Sequence, residues 1–104
     1  MARQLKITVL KRELYEDLAD EYSAEIPLPR CPVYEDGQEF IIEDPGSVVM
    51  PEGFCTWAWT DIHRDVIATF WGASMHWIKQ RNTMITCCTD GLRPVIFKVQ
   101  AIDA

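Results

Sequence analysis

The sequence lacks an apolar run long enough to cross a lipid bilayer. A membrane-spanning helix needs roughly 18 to 20 consecutive apolar residues, and the most apolar stretch, residues 54–78, is interrupted by four charged or titratable side chains between positions 61 and 65. The first twelve residues are basic, but their apolar side chains alternate with Lys and Thr, which is not the pattern of an export signal. We therefore expect a cytoplasmic protein with no membrane partner.

A concentrated basic surface is also missing. The net charge is −6, and residues 13–44 hold eleven acidic side chains against a single Arg30. Nucleic-acid binding requires clustered Lys and Arg, so nucleic acid is not expected as a partner. The acidic segment is typical of a solvated helix face followed by a polar loop.

The Cys-x-x-Cys pair of zinc knuckles is absent, although the chain has four cysteines, at positions 31, 55, 87 and 88. In a cytoplasmic protein these thiols stay reduced unless they bind a metal or undergo a redox cycle. A disulfide scaffold is therefore not expected.

The length of 104 residues and the 48% hydrophobic content predict a single domain over residues 1–104. Alternating apolar side chains predict a strand at 4–11, and apolar side chains four apart predict a short peripheral helix at 13–22. Three prolines between positions 26 and 32 predict an extended loop. A short strand is expected at 39–43, between turns at Asp36-Gly37 and Asp44-Pro45-Gly46.

The strongest helical periodicity covers residues 54–71 and predicts a central core helix. Residues 73–83 fit either a further helical turn or a loop. Strands at 84–88 and 94–102, joined by a turn at 89–91, predict a β-hairpin. Together these elements predict an α+β fold, in which a small antiparallel or mixed sheet carries the core helix and the short peripheral helix.

Several stretches of the chain resemble a known family. They read CPVY at 31–34, GQEF at 37–40, FCTWA at 54–58 and CCTDGLRPVIF at 87–97. In these motifs, and over nearly its whole length, the chain resembles the TIGR04076 family of small prokaryotic proteins. The resemblance implies no particular activity, substrate or cofactor, so the functional hypotheses rest on the residues themselves.

Cys55 lies at the predicted start of the core helix, where free backbone N–H groups and the helix dipole would favour a thiolate. It also falls on the apolar face of that helix, and free cysteines are often fully buried. An activated thiol and inert core packing are therefore both open interpretations.

Cys87 and Cys88 are adjacent on a predicted strand, so their side chains should point to opposite faces. Which of them faces a site stays open. One hypothesis is a zinc or iron ion held by Cys31, Cys55 and Cys87, because three thiolates suit these metals and leave an open position. The gaps of 24 and 32 residues match no metal motif and weigh against it.

Further candidates for ligand binding, besides Cys55, lie near these cysteines. Trp57 and Trp59 cannot share one helix face. One of them therefore faces away from the Cys55 side, and an exposed Trp57 would indicate a partner or a pocket. His63 is placed at the margin of the apolar stripe, where a general base and an ordinary helix histidine are alternatives. Arg93 could hold an anion, or could pair with Asp90 across the turn.

The preferred hypothesis is a small-molecule or metal site where the three cysteine-bearing segments meet. The alternatives are a non-catalytic interaction protein or homo-oligomer that uses exposed tryptophan and the acidic segment, and a thiol-based redox protein that uses Cys55. The sequence leaves open whether the protein is an enzyme.

Overall fold

Within residues 3–43 and 48–103, which the computed structural model describes, the chain forms four strands and two helices. The turn predicted at Asp44-Pro45-Gly46 lies outside the described residues. In chain order the elements are β1 (Arg3–Arg12), α1 (Glu16–Tyr22), β2 (Glu39–Ile42), α2 (Thr56–Phe70), β3 (Thr83–Cys87) and β4 (Val95–Asp103). The predicted α+β fold is confirmed, and the predicted elements differ from the observed ones at their ends.

The strands form one antiparallel sheet in the order β2-β1-β4-β3, so β1 and β4 are its central strands. Alternate side chains of a strand share a face. The fully buried members of the two central strands therefore lie together on one face of the sheet. These residues are Leu5, Ile7, Val9, Val95, Phe97 and Val99.

Helix α2 packs against this face with a stripe of buried side chains at helical spacing: Ala58, Ile62, Val66, Thr69 and Phe70. The helix ends in a Schellman motif, in which Gly72 N–H donates to Thr69 O at 3.1 Å and Ala73 N–H donates to Ala68 O at 2.9 Å. The φ of Gly72 is 95°, a left-handed conformation that favours glycine. Residues 71–82 form turns, bends and irregular structure, so no further helix follows α2 there.

A β-bulge in β1 decides how the loop after α1 is held. The register with β4 shifts between Val9 and Lys11, so that Arg12, rather than Lys11, stands opposite Val95. The Arg12 guanidinium donates to Cys31 O at 3.1 Å and pairs with Asp36 at 3.0 Å. The bulge therefore directs a cation toward the loop that carries Cys31.

Helix α1 is peripheral, as predicted, but it begins at Glu16 instead of residue 13. Glu13 N–H donates to Pro94 O and Tyr15 N–H donates to Leu92 O, both at 2.9 Å, so the chain continues beside the β-hairpin before the helix starts. In α1 only Ala19 is buried, and within the described ranges α1 contacts no other helix or strand. Neither α1 nor α2 has the length and apolar character needed to span a bilayer.

We expect Ile62→Ala to lower the free energy of unfolding by about 2–5 kcal/mol, because the missing atoms would leave a cavity between α2 and the sheet. Ile62 is fully buried. Arg64→Ala, on the exposed side of the same helix, should change the free energy by no more than about 0.5 kcal/mol. Urea unfolding followed by tryptophan fluorescence measures both, and equal losses would contradict this packing.

Candidate functional site

A cavity of about 260 Å³ lies where three distant segments meet: the loop at 31–34, the N-terminal end of α2, and the β-hairpin between residues 88 and 95. We call it the cysteine cavity. Its lining residues are Cys31, Pro32, Val33, Tyr34, Cys55, Trp57, Ala58, Cys88, Asp90, Arg93 and Val95.

Three of the four cysteines line this cavity, one from each segment, and each is partly buried against the core. The predicted helix begins at residue 54 and so includes Cys55 in its first turn. In the structure Cys55 is instead the N-cap residue of α2, and its side chain makes no capping hydrogen bond. All four cysteines are free thiols.

Cys88, rather than Cys87, belongs to the cavity. Strand β3 ends at Cys87, whose side chain is exposed. Cys88 N–H donates to Val95 O at 3.1 Å, and Val95 N–H donates in turn to Cys88 Sγ at 3.3 Å. These two hydrogen bonds hold the Cys88 sulfur against the backbone of β4. Cys88 therefore lines the cavity with Cys31 and Cys55, whereas the metal hypothesis had named Cys87 as the third cysteine.

Tyr34 lines the cavity and is 2% exposed. Its ring makes edge-to-face contacts with Phe40, Phe54 and Phe97 at centroid distances of 5.4 to 5.9 Å. Its hydroxyl oxygen accepts a hydrogen bond from Cys55 N–H at 3.0 Å. Tyr34 therefore joins the Cys31 loop, the aromatic core and the start of α2.

The Tyr34 hydroxyl stays protonated at physiological pH. Burial raises the pKa of Tyr34 well above its usual range, and this effect outweighs the opposing hydrogen bond from Cys55 N–H. Charge on the three cavity cysteines raises the same pKa further. The hydroxyl can thus accept from Cys55 and donate its own hydrogen at the same time.

Two polar clusters form the rim. Trp57 Nε1–H donates to Thr89 Oγ1 at 3.0 Å, and the Thr89 hydroxyl and N–H both donate to Asp61 at 2.9 and 2.8 Å. On the other side, the Arg93 guanidinium pairs with Asp90 at 3.3 Å and donates to Pro29 O at 3.2 Å. Of the two interpretations of Arg93, an anion-binding residue or a partner of Asp90 across the turn, the structure shows the pairing with Asp90.

The structure brings together most of the residues singled out in the sequence. Cys31, Cys55, Trp57, Asp90 and Arg93 all line the cysteine cavity. Two others do not. His63 is exposed and lies against Trp59 with ring centroids 5.2 Å apart, and Cys87 is outside the lining.

Sequence reasoning did not include Tyr34 among the site residues. The signal that could have found it is its position three residues after Cys31 in the motif CPVY, beyond the proline. Its burial depends on tertiary contacts, since the loop itself has no periodic pattern.

A metal site is not formed by the side chains as they stand. In the part of the chain that the structure describes, no group of three or more His, Cys, Asp or Glu side chains is arranged to hold a metal ion. Binding of zinc or iron by Cys31, Cys55 and Cys87 stays a prediction.

Comparison of the chain with models of protein families, with curated proteins and with solved structures gives no match. The resemblance to the TIGR04076 family therefore stays a prediction, and the function has to be argued from the cavity.

We expect Tyr34→Phe to lower the free energy of unfolding by about 1–3 kcal/mol, because Cys55 N–H would lose its acceptor in a partly buried place. Tyr22→Phe is the matched control, since Tyr22 is 70% exposed. Chemical unfolding at neutral pH compares the two variants. A loss at Tyr34 no larger than at Tyr22 would show that this hydrogen bond adds nothing to stability.

Cys87 should react with iodoacetamide only at pH values above those of an ordinary thiol, whose pKa is about 8.5. Although the Cys87 side chain is exposed, partial desolvation by neighbouring atoms raises its pKa, and negative charge on Cys88, Asp61 and Asp65 adds to the effect. A raised pKa leaves less thiolate at a given pH and moves the rate profile upward. Peptide mapping of alkylation against pH measures this profile.

Asp65→Asn should shift the Cys87 profile to lower pH, because it removes one of these negative charges while keeping an acceptor for Thr86 Oγ1–H. Asp20→Asn, on the exposed side of α1, is the control and should leave the profile unchanged. An unshifted profile in Asp65→Asn would contradict the assigned cause.

Proposed function

We propose that this chain binds a small organic molecule in the cysteine cavity. The observation that carries the proposal is that thiols from positions 31, 55 and 88 line one cavity together with the buried Tyr34. Cysteines that only fill a hydrophobic core do not need to line the same cavity. Three thiols around one cavity offer a soft, polarisable surface to a ligand.

The size of the cavity favours a ligand smaller than a typical drug. Its volume of about 260 Å³ is just below the range of roughly 300–1,000 Å³ for pockets that take drug-sized molecules. Side chains such as Val33, Ala58 and Val95 supply apolar contacts around it. The ligand that fits these walls has an apolar body with few polar atoms.

The charges around the cavity favour a ligand that is close to neutral. Arg93 is already paired with Asp90, and Tyr34 is held in its protonated, neutral form. A charged ligand would lose hydration without gaining an unpaired partner in the wall. A neutral acceptor atom, by contrast, could receive the hydrogen of the Tyr34 hydroxyl.

Disulfide trapping with a library of small disulfide-bearing fragments tests this proposal. A cysteine thiolate attacks the disulfide of the fragment, forms a mixed disulfide and releases the other half as a thiol. A cavity that binds the fragment holds it against added reductant. We expect particular fragments to remain on Cys31, Cys55 or Cys88 at reductant concentrations that clear them from Cys87.

Cys87 is the internal control, because it is exposed and lies outside the cavity. Trp57→Ala should reduce retention, since Trp57 lines the cavity, whereas Trp77→Ala, which removes an equally exposed tryptophan outside it, should not. Retention that is equal on all four cysteines, or strongest on Cys87, would overturn the proposed function.

A further inference from the structure

A second surface feature lies away from the cysteine cavity, beside the edge strand β3. A groove of about 290 Å³ is formed there by Trp77, Ile78, Lys79, Gln80, Thr83, Ile85 and Lys98. We call it the β3 groove. Trp77 is 64% exposed and Ile85 41% exposed, so the groove presents a large apolar surface with two lysines at its border.

The region around the β3 groove is basic. Residues 66–89 contain no Asp or Glu, while they contain Lys79, Arg81 and His76. Over residues 3–43 and 48–103, the side chains of Lys79, Arg81 and Lys98 form no ion pair. The positive charge beside the groove is thus available to an acidic partner.

An acidic element with apolar side chains occurs elsewhere in the same chain. Residues 15–26, which we call the acidic arm, contain five acidic side chains and no Lys or Arg. Leu18 and Tyr22 lie four apart on α1 and are exposed, as is Ile26. Their exposure leaves three apolar side chains on the arm, within a segment that carries five carboxylates.

The acidic arm lies apart from the β3 groove of its own chain. Tyr15 N–H bonds to Leu92 O at the start of the arm, and Arg93 donates to Pro29 O just after it. Lys98, which borders the groove opposite Ile85, comes six residues after Leu92, or about 20 Å of extended chain. Within the described ranges α1 contacts neither β3 nor β4, so the two complementary surfaces do not meet in one chain.

We propose that the β3 groove binds the acidic arm of a second copy of this chain. Leu18 and Tyr22 would cover Trp77 and Ile85, in the manner of an amphipathic helix in a groove, and carboxylates of the same arm would face Lys79 and Lys98. Each copy carries one arm and one groove. A two-fold dimer therefore repeats the contact twice and closes on itself.

Sedimentation velocity of the full chain over a range of protein concentrations tests the dimer. Dimerisation should be clearly stronger in about 0.01 M salt than in about 1 M salt, because the Debye length falls from about 30 Å to about 3 Å. The groove variant Lys79→Glu with Lys98→Glu should weaken dimerisation about tenfold or more. A chain that is monomeric at every concentration in low salt would overturn the proposal.

Charge compensation distinguishes this interface from any other. Asp17→Lys with Asp20→Lys on the arm should also weaken the dimer, and a chain that carries both pairs of substitutions should recover it. Arg64→Glu, an exposed base on α2 outside the groove, is the charge control and should have little effect. The assigned surfaces would be contradicted if the groove variant dimerised as strongly as the unmodified chain, or if the chain with both pairs of substitutions dimerised no better than the groove variant alone.

A measurement on the unmodified chain guards against variants that fail to fold. Carbodiimide joins a carboxylate to a lysine amine with loss of water, and a mixture of unlabelled and ¹⁵N-labelled chains identifies cross-links between copies. We expect links between residues 16–25 and Lys79 or Lys98. Cross-links that join other segments would overturn the proposal. Neither experiment involves the cysteine cavity, so its proposed function stands or falls separately.

Discussion

The pairing of β1 with β4 is the constraint on which the rest of the structure depends. Its register places three fully buried side chains of each strand on one face, and that face is the surface on which α2 packs. The bulge after Val9 then breaks the alternation, so that Arg12 stands opposite Val95. Without that extra residue Lys11 would stand opposite Val95. The loop with Cys31 would then lose the Arg12 guanidinium, which donates to Cys31 O and to Asp36 at the same time.

The cysteine cavity exists because Tyr34 is held from two sides. Its ring packs in the aromatic core with Phe40, Phe54 and Phe97. Its hydroxyl accepts a hydrogen bond from Cys55 N–H at the N-terminal end of α2. A loop that carried no such residue would lose its buried aromatic anchor and its link to α2, and would keep mainly hydrogen bonds such as those from Arg12 to Cys31 O and from Arg93 to Pro29 O. The three thiols face one space because the same side chain fixes two of the segments that carry them.

Much of the fold could be predicted from periodicity, because α2 and the central strands follow the burial patterns of regular elements. The start of α1 could not, since Glu13 and Tyr15 donate to Pro94 and Leu92, and no local pattern records contacts over such a separation. The region of the site could also be predicted, because it lies at the ends of elements. The choice between Cys87 and Cys88 could not, since it depends on the residue at which β3 stops.

The contrast between Cys87 and Cys88 shows how adjacent residues of one type acquire different chemistry. Cys88 has a backbone N–H directed at its sulfur and lies on the cavity, whereas the pKa of the exposed Cys87 is raised first by desolvation and then by charge on Cys88, Asp61 and Asp65. Strand β3 ends between the two residues, so adjacent positions in the sequence have two different environments. The cavity thiols are therefore distinguished by the backbone and by Tyr34, and not by the number of cysteines in the chain.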